Sequence, residues 1–283
     1  MAHILIHSLE DSLKLLPFLF LTYLVMEYLE HHTSERAKSA IQKSGKFGPV
    51  IGSLLGALPQ CGFSAAAANL YAGRIITIGT LIAIFLSTSD EMLPILISSA
   101  VPVKDIVIIL AWKVGIGIVA GIIIDLLVRR KGEAHEMDIH HMCEHEHCNC
   151  EKQGVWRSSI SHTLKTFLFI LLVTFALNIF MHTVGEDAIA GLIFNRPILG
   201  ALIAGLVGLI PNCASSVLIT QLYLQGAMSF GAMMSGLLVG AGVGVLVLCK
   251  VNDDNKECAQ IIVLLYIIGA VAGILMELLG IGV

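Results

Sequence analysis

The chain has 283 residues, of which 56% are hydrophobic and only 13% charged. A soluble domain carries roughly 25% charged residues, so this composition argues against a soluble fold and for an integral membrane protein. The net charge of −4 offers nothing to nucleic acid, and the only Gly-Lys pair, Gly45-Lys46, is followed by Phe47 and lacks the upstream glycine of a phosphate-binding loop, which excludes an ATP-driven machine of that type.

A spanning helix needs ~20 predominantly apolar residues. In chain order, such segments cover 12–31, 48–73, 75–99, 103–129, 162–182, 197–224, 228–249 and 258–281. The first is expected to remain in the mature protein, because 1–14 has no basic start, carries Glu10 and Asp11 and leads to no small-residue cleavage site. Two hydrophilic stretches interrupt the pattern, 32–47 and 130–161. They suggest a first transmembrane unit over 1–130, a linker over 131–161 and a second unit over 162–283.

The two units resemble each other. At an offset of 152 residues, "GALPQCGFSAAAANLY" (56–71) aligns with "GLIPNCASSVLITQLY" (208–223), and "GIVAGIIIDLL" (117–127) with "GAVAGILMELL" (269–279). The first helices align at an offset of 151, which pairs Glu27 with Asn178 and His31 with His182. Apolar helices match by chance, but Pro-x-Cys, Ser and Leu-Tyr in one register are harder to dismiss, and internal repeats of this kind are typical of transporters. Loop 32–47 carries Arg36, Lys38, Lys43 and Lys46, whereas its counterpart 183–196 carries only Arg196 beside Glu186 and Asp187. The positive-inside rule then puts the first loop and the linker in the cytoplasm, and the counterpart loop and both termini outside. Equivalent loops on opposite faces mean inverted-topology repeats. The expected fold is an all-α integral membrane protein of two such repeats, about five helices each, in the inner membrane, with broken or re-entrant helices at the Pro-x-Cys motifs.

Proline removes a backbone donor and clashes with the carbonyl four residues back, so Pro59 and Pro211 break their segments. Broken backbone survives at membrane depth only where protein or a water-lined cavity receives it. With inversion, the tips Pro59-Gln60-Cys61 and Pro211-Asn212-Cys213 approach each other near the midplane, where secondary transporters hold substrate. The pathway residues expected there are Gln60, Cys61, Ser64 and Asn69, with Asn212, Cys213, Ser216 and Gln221. Thiols suit softer transition metals, and amide or carboxylate oxygens suit manganese, magnesium or calcium. The competing reading is two kinked helices with inert thiols and amides that bond their neighbours.

"FLSTSDEMLPIL" (85–96) sets Ser87, Asp90 and Glu91 near the centre of an apolar segment. A carboxylate there costs about 3 kcal/mol or more, so it faces a cavity or a partner, as metal ligand or proton carrier; an aqueous loop between two short segments is the alternative. The aligned "GAGVG" (240–244) predicts a second break, made by Gly240 and Gly242 and offering close backbone approach but no charge. Lys113, ten residues into its segment, pairs with these carboxylates or snorkels to the interface. Glu27 with His31, and Asn178 with His182, are spaced i,i+4 on one helix face and read either as relay or access ligands or as polar helix ends. Asp125 and Glu277 align near helix ends and read as interface residues, and the Gly117-x-x-x-Gly121 and Gly269-x-x-x-Gly273 pairs read as helix-packing glycines.

The linker stretch "HEMDIHHMCEHEHCNCE" (135–151) concentrates His135, His140, His141, Cys143, His145, His147, Cys148 and Cys150. These are close-spaced, borderline-soft ligands, reduced on the cytoplasmic side, and they suggest metal capture for buffering, sensing or delivery. His141–His145 also fits the H-x-x-E-H string of some zinc proteases, but that chemistry needs a rigid helix rather than a low-complexity tract.

The strings "PQCGFSAAAANLYAGR" (59–74), "LSTSDEMLPIL" (86–96) and "PNCASS" (211–216), with the His-rich central loop, resemble a bacterial family of ten-helix heavy-metal exporters whose members are labelled manganese transporters or arsenic efflux proteins. The resemblance covers nearly the whole chain and implies five helices per half. The expectation is therefore a proton-coupled secondary exporter, not an enzyme. Its substrate is a divalent transition metal, manganese first and zinc next, that is cargo rather than cofactor. Arsenite or another small solute remains an alternative, as does a membrane-bound metal sensor or metalloprotease using the linker. The expected partners are the lipid bilayer and metal ions, with a homo-oligomer left open.

Overall fold

The computed structural model describes residues 47–58, 61–89, 92–130, 197–252 and 254–282, with scattered positions between 13 and 24 and between 156 and 175. The described residues form helices and no strand. In chain order these are α1 (Gly48–Gly56), α2 (Cys61–Ala72), α3 (Ile78–Ser87), α4 (Met92–Ser98), α5 (Val103–Arg130), α6 (Pro197–Gly208), α7 (Cys213–Leu224), α8 (Phe230–Val239), α9 (Gly244–Val251) and α10 (Asn255–Leu278). Among the described residues, four stretches are long and apolar enough to cross a membrane: Ile78–Ser98, Val103–Val128, Phe230–Val251 and Asn255–Leu278.

Two of the four are interrupted, and these two are the buried ones. The α3–α4 and α8–α9 pairs supply most of the core, including Leu81, Ile82, Phe85, Leu86, Met233, Met234, Leu238 and Leu248. The unbroken α5 and α10 instead expose apolar side chains along their length, among them Val107, Ile123, Leu126, Val263, Ile267 and Leu275. In a bilayer an outward apolar surface is satisfied by lipid, so the polar and irregular backbone falls to the inner layer.

Glycine contacts give the helix directions. A Cβ on Gly48 would strike the Thr80 hydroxyl, and one on Gly56 would strike Ser87, so α1 runs parallel to α3. Gly79 meets Gly121 and Asp125, and Gly117 meets Ala83, so α5 runs antiparallel to α3. Ser64, in the first turn of α2, and Phe85, near the end of α3, both touch Gly244, whereas only five residues separate Ala72, the end of α2, from Ile78. Hence α1 rises beside α3 and α2 returns toward the start of α3. Twelve residues at 1.5 Å each give α2 about 18 Å, too short to cross a ~30 Å hydrocarbon core. The two helices lie side by side in opposite directions, and α2 alone is shorter than a membrane crossing.

The helices of the second half make contacts of the same kind. Ser235 Oγ donates to Ala201 O at 2.7 Å and a Cβ on Gly208 would strike Gly236, so α6 runs parallel to α8. Gly231 meets Gly273 and Glu277, so α10 runs antiparallel to α8. Helices starting at 61, 78, 92 and 103 have counterparts starting at 213, 230, 244 and 255, each 152 residues on. Across the halves, α2 packs on α9 and α4 on α7. Because Gly244 lies beside Ser64 while Glu257, in the first turn of α10, bonds Arg74, α9 runs parallel to α2. The turns 73–77 and 252–254 therefore share what we call the near end of the bundle. The start of α5, the α7–α8 turn and the end of α10 share the far end.

Asp125 shows why the long helices carry acid near their ends. It is 9% exposed and accepts from the Gly79 N–H at 2.9 Å and from the Thr77 hydroxyl at 2.7 Å, while Thr77 caps α3 by accepting from Thr80 N at 3.1 Å. A carboxylate on the first amides of a helix meets the positive end of its dipole. Glu277 lies likewise beside Gly231 at the start of α8. Both acids thus sit against the start of a neighbouring helix. The glycine pairs Gly117/Gly121 and Gly269/Gly273 provide close helix contacts.

Candidate functional site at the crossing of the broken helices

The interruptions gather at mid-height. α3 stops at Ser87 and α4 resumes at Met92, while α8 stops at Val239, Gly240 caps it, Gly242 takes a left-handed backbone (φ 54) and α9 starts at Gly244. The glycine break foreseen at 240–244 is there. Gly56 at the top of α1 touches Ser87 at one break, and Gly208 at the top of α6 touches Gly236, just below the other. Gly244 brings the second break against the first hairpin: an added Cβ would lie 2.7 Å from Ser64 Cβ and 3.0 Å from the Phe85 ring. One hairpin's return helix, its neighbouring break and the opposite break thus meet around Ser64, Phe85, Ser87 and Gly244.

Hydroxyls satisfy the carbonyls that the first break frees. Ser87 Oγ donates toward Ala83 O (2.8 Å) and Ile84 O (3.0 Å), Thr88 Oγ1 donates to Ile84 O (2.8 Å), and Ser89 Oγ donates to Ser87 O (3.0 Å). All three side chains are buried. Ser87, expected on the pathway, therefore spends its proton on its own helix and offers only oxygen lone pairs. At the second break the helix would pair Leu237 O with the amide of residue 241, but Ala241 N turns to Val239 O instead, at 2.9 Å. The Leu237 carbonyl is taken by Lys113, which is wholly buried on α5 and donates its ammonium there. Of the two roles foreseen for Lys113, snorkelling is excluded by that burial: the cation sits at the carbonyl end of α8, where the helix dipole favours it.

Asn212 is 3% exposed and caps α7, accepting from Ala214 N at 3.4 Å. Ser215, not singled out in the sequence, donates to Asn212 O at 2.7 Å and Ile210 O at 3.1 Å and so closes the Pro211 corner. Ser64 is fully buried and Ser216 partly so, its carbonyl receiving the Thr220 hydroxyl at 2.7 Å. Cys61 and Cys213 head α2 and α7. Asn69 and Gln221 occupy matched positions but different surroundings: Gln221 is exposed, whereas Asn69 is wholly buried with neither its Oδ1 nor its Nδ2 hydrogen-bonded. The helix contacts bring Ser64, Ser87, Gly240, Gly242 and Lys113 to one level and leave Asn69 about one and a half turns away along α2.

Glu27, His31, Pro59, Gln60, Asp90, Glu91 and His182 lie outside the described residues, as do the linker residues His135, His140, His141, Cys143, His145, His147, Cys148 and Cys150. Among the described residues no group of three or more His, Cys, Asp or Glu could hold a metal ion. The sequence reasoning missed Tyr71, Arg74, Asn252 and Glu257, which form one hydrogen-bonded cluster at the near end. A signal existed: at the 152-residue offset Arg74 aligns with Gly226, a departure from the similarity around it.

With the geometry in place, comparison with known proteins adds one finding. The model of a family described as "Putative, 10TM heavy-metal exporter" matches residues 1–195, which is more than two thirds of the chain and takes in the first hairpin, the α3–α4 break and the linker. No curated protein and no solved structure matches the chain.

Proposed function

Because this chain belongs to the family of ten-span heavy-metal exporters, we propose that it is a secondary exporter of a divalent transition-metal ion, manganese first, bound where the two broken helices and the hairpin tips meet. The observation that carries the reading is the contact of Gly244 with Ser64 and Phe85, beside that of Gly56 with Ser87: it gathers interrupted backbone from both halves at one depth. Such backbone inside a bilayer is tolerated where it lines a cavity, and transporters place their ions there. Asp90 and Glu91 follow directly on Ser89 and supply the charge a divalent ion needs. Lys113, at the opposite break, holds a positive charge at this level that an arriving cation displaces. The counter-ion is the proton, exchanged at the same carboxylates.

The halves act as inverted repeats in this reading. Support comes from the shared offset of the helix starts and from the directions of the broken helices, since α3 climbs from the near end and α8 descends from the far end. Counting each hairpin leg once, with the first helix of each half, gives five segments per half. The described near end carries Arg74, Arg130, Lys250 and Lys256, against Lys104 at the far end, so the near end and the linker are cytoplasmic by the positive-inside rule. A specific observation keeps arsenite as the second reading: each hairpin's return helix begins with a cysteine, Cys61 or Cys213.

A resistance panel in a metal-sensitive host (manganese, zinc, cobalt, cadmium and arsenite) tests both readings. Wild type should raise tolerance to manganese, Asp90→Asn should abolish the gain, and Cys61→Ala and Cys213→Ala should keep most of it. Protection against arsenite alone, lost in the thiol variants, selects the second reading. No change in tolerance to any of the five removes export altogether.

A further inference from the structure

The near end holds a cluster that the central site does not use. Arg74 donates from both guanidinium nitrogens to the two carboxylate oxygens of Glu257, at 2.9 Å each. The Tyr71 hydroxyl donates to Glu257 Oε1 at 2.5 Å, and Asn252 Nδ2 donates to Oε2 at 3.0 Å. The guanidinium also lies over the Tyr71 ring, 5.2 Å from its centre. Tyr71 and Arg74 belong to the return leg of the first hairpin, and Asn252 and Glu257 to the α9–α10 corner of the other half, so the cluster ties the halves together across the α2–α9 seam. The ion pair is largely shielded, with side-chain exposures of 20% and 17%.

Arg74 sits where the backbone asks for a different residue. α2 ends in a Schellman turn, with Ile75 N on Leu70 O and Arg74 N on Tyr71 O, and Arg74 has the left-handed φ of 54. That position is ordinarily glycine, because a Cβ is disfavoured there. The matching turn after α7 has Ala227 N on Leu222 O and Gly226 N on Tyr223 O, with glycine in the left-handed position (φ 71). The far end keeps the tyrosine and the acid, as Tyr223 and Asp105, but has Gly226 and Ala100 where the near end has Arg74 and Asn252. A strained arginine is thus present at one end of a paired architecture and absent at the other. Strain of this sort is retained where the side chain has work to do. Beneath it on the same helix lies Asn69, buried and bonded to nothing, between the cluster and Ser64.

We propose that Tyr71, Arg74, Asn252 and Glu257 form a gate that shuts the near end of the pathway along the α2–α9 seam, with Asn69 the first polar stop inside it. The inference rests on the transport reading above. Among the described residues the far end has Gly226 and Ala100 in place of the arginine and the amide, so the two ends open under different controls. Separating α2 from α9 requires the bidentate pair to part.

Arg74→Gly tests this cleanly, because it removes the clasp while giving the turn the residue its backbone favours. Glu257→Gln is the second variant, since it keeps size and hydrogen bonds but not charge. In full-length protein with Cys61 as the only cysteine, a membrane-impermeant maleimide is applied to vesicles of each orientation; a cysteine at exposed Lys256, in a parallel sample, reports which face is presented. Both variants should raise the rate of Cys61 labelling from the near face about tenfold, as the closed population falls, and leave or lower the rate from the far face. Unchanged near-face labelling in both folded variants overturns the gate. Labelling does not depend on which ion is carried, so the gate survives a failed resistance panel, and the transport reading survives a failed labelling experiment.

Discussion

A carboxamide sealed from solvent with neither end bonded, as at Asn69, carries an uncompensated desolvation penalty of roughly 1–3 kcal/mol. Asn69→Leu should therefore raise the thermal midpoint of the detergent-purified protein while cutting metal export several-fold. A variant that is stabilised and fully active would make Asn69 a tolerated defect rather than a stop on the pathway. The contrast with Gln221, exposed 152 residues on, shows what sequence register alone cannot settle: positions that align in sequence face different neighbours once the halves meet. Asn212 carries a related lesson. Its residue type suits a metal ligand, yet its Oδ1 is turned to Ala214 N, because a buried helix start needs its amides capped first.

At the scale of the element, α3 against α5 and α8 against α10 depend on glycine at the crossing. A Cβ on Gly231 would sit 2.5 Å from Gly273 O and 2.6 Å from Glu277 Oε2, both closer than real contacts allow. Gly231→Ala should cost about 1–3 kcal/mol, as overpacking does, and lower the thermal midpoint. Gly115→Ala is the matched control: nothing lies within 4 Å of its added Cβ, so it should stabilise α5 by roughly 0.5–1 kcal/mol. Equal effects from the two substitutions would mean that the crossing is looser than the contacts imply. These elements were largely legible in the sequence. Pro59 and Pro211 marked the corners, the 240–244 glycines marked the second break, and the aligned G-x-x-x-G pairs marked the close crossings. The seam partners were not legible. Nothing local to α2 announces that it packs on α9 from the other half, and for that reason Glu257 could not be joined to Arg74 in advance.

For the molecule as a whole, the division of labour between layers is the main physical feature. Two unbroken helices, α5 and α10, present apolar surface outward, and the interrupted pairs fill the interior, where Lys113 and the hydroxyls of Ser87, Thr88 and Ser89 take up carbonyls that regular helix would have bonded. Only a buried layer can hold such breaks, so the hydrophobic arrangement and the polar centre are consequences of one constraint. The proposed site among the broken helices and the His- and Cys-rich linker sequence make different claims on the metal. Equilibrium binding of manganese to purified protein distinguishes them most directly, measured on wild type, on a chain lacking 135–151 and on Asp90→Asn. A site among the broken helices predicts that one ion per chain remains bound when the linker is deleted and is lost in Asp90→Asn. Binding that vanishes with the linker and is untouched by Asp90→Asn would contradict it.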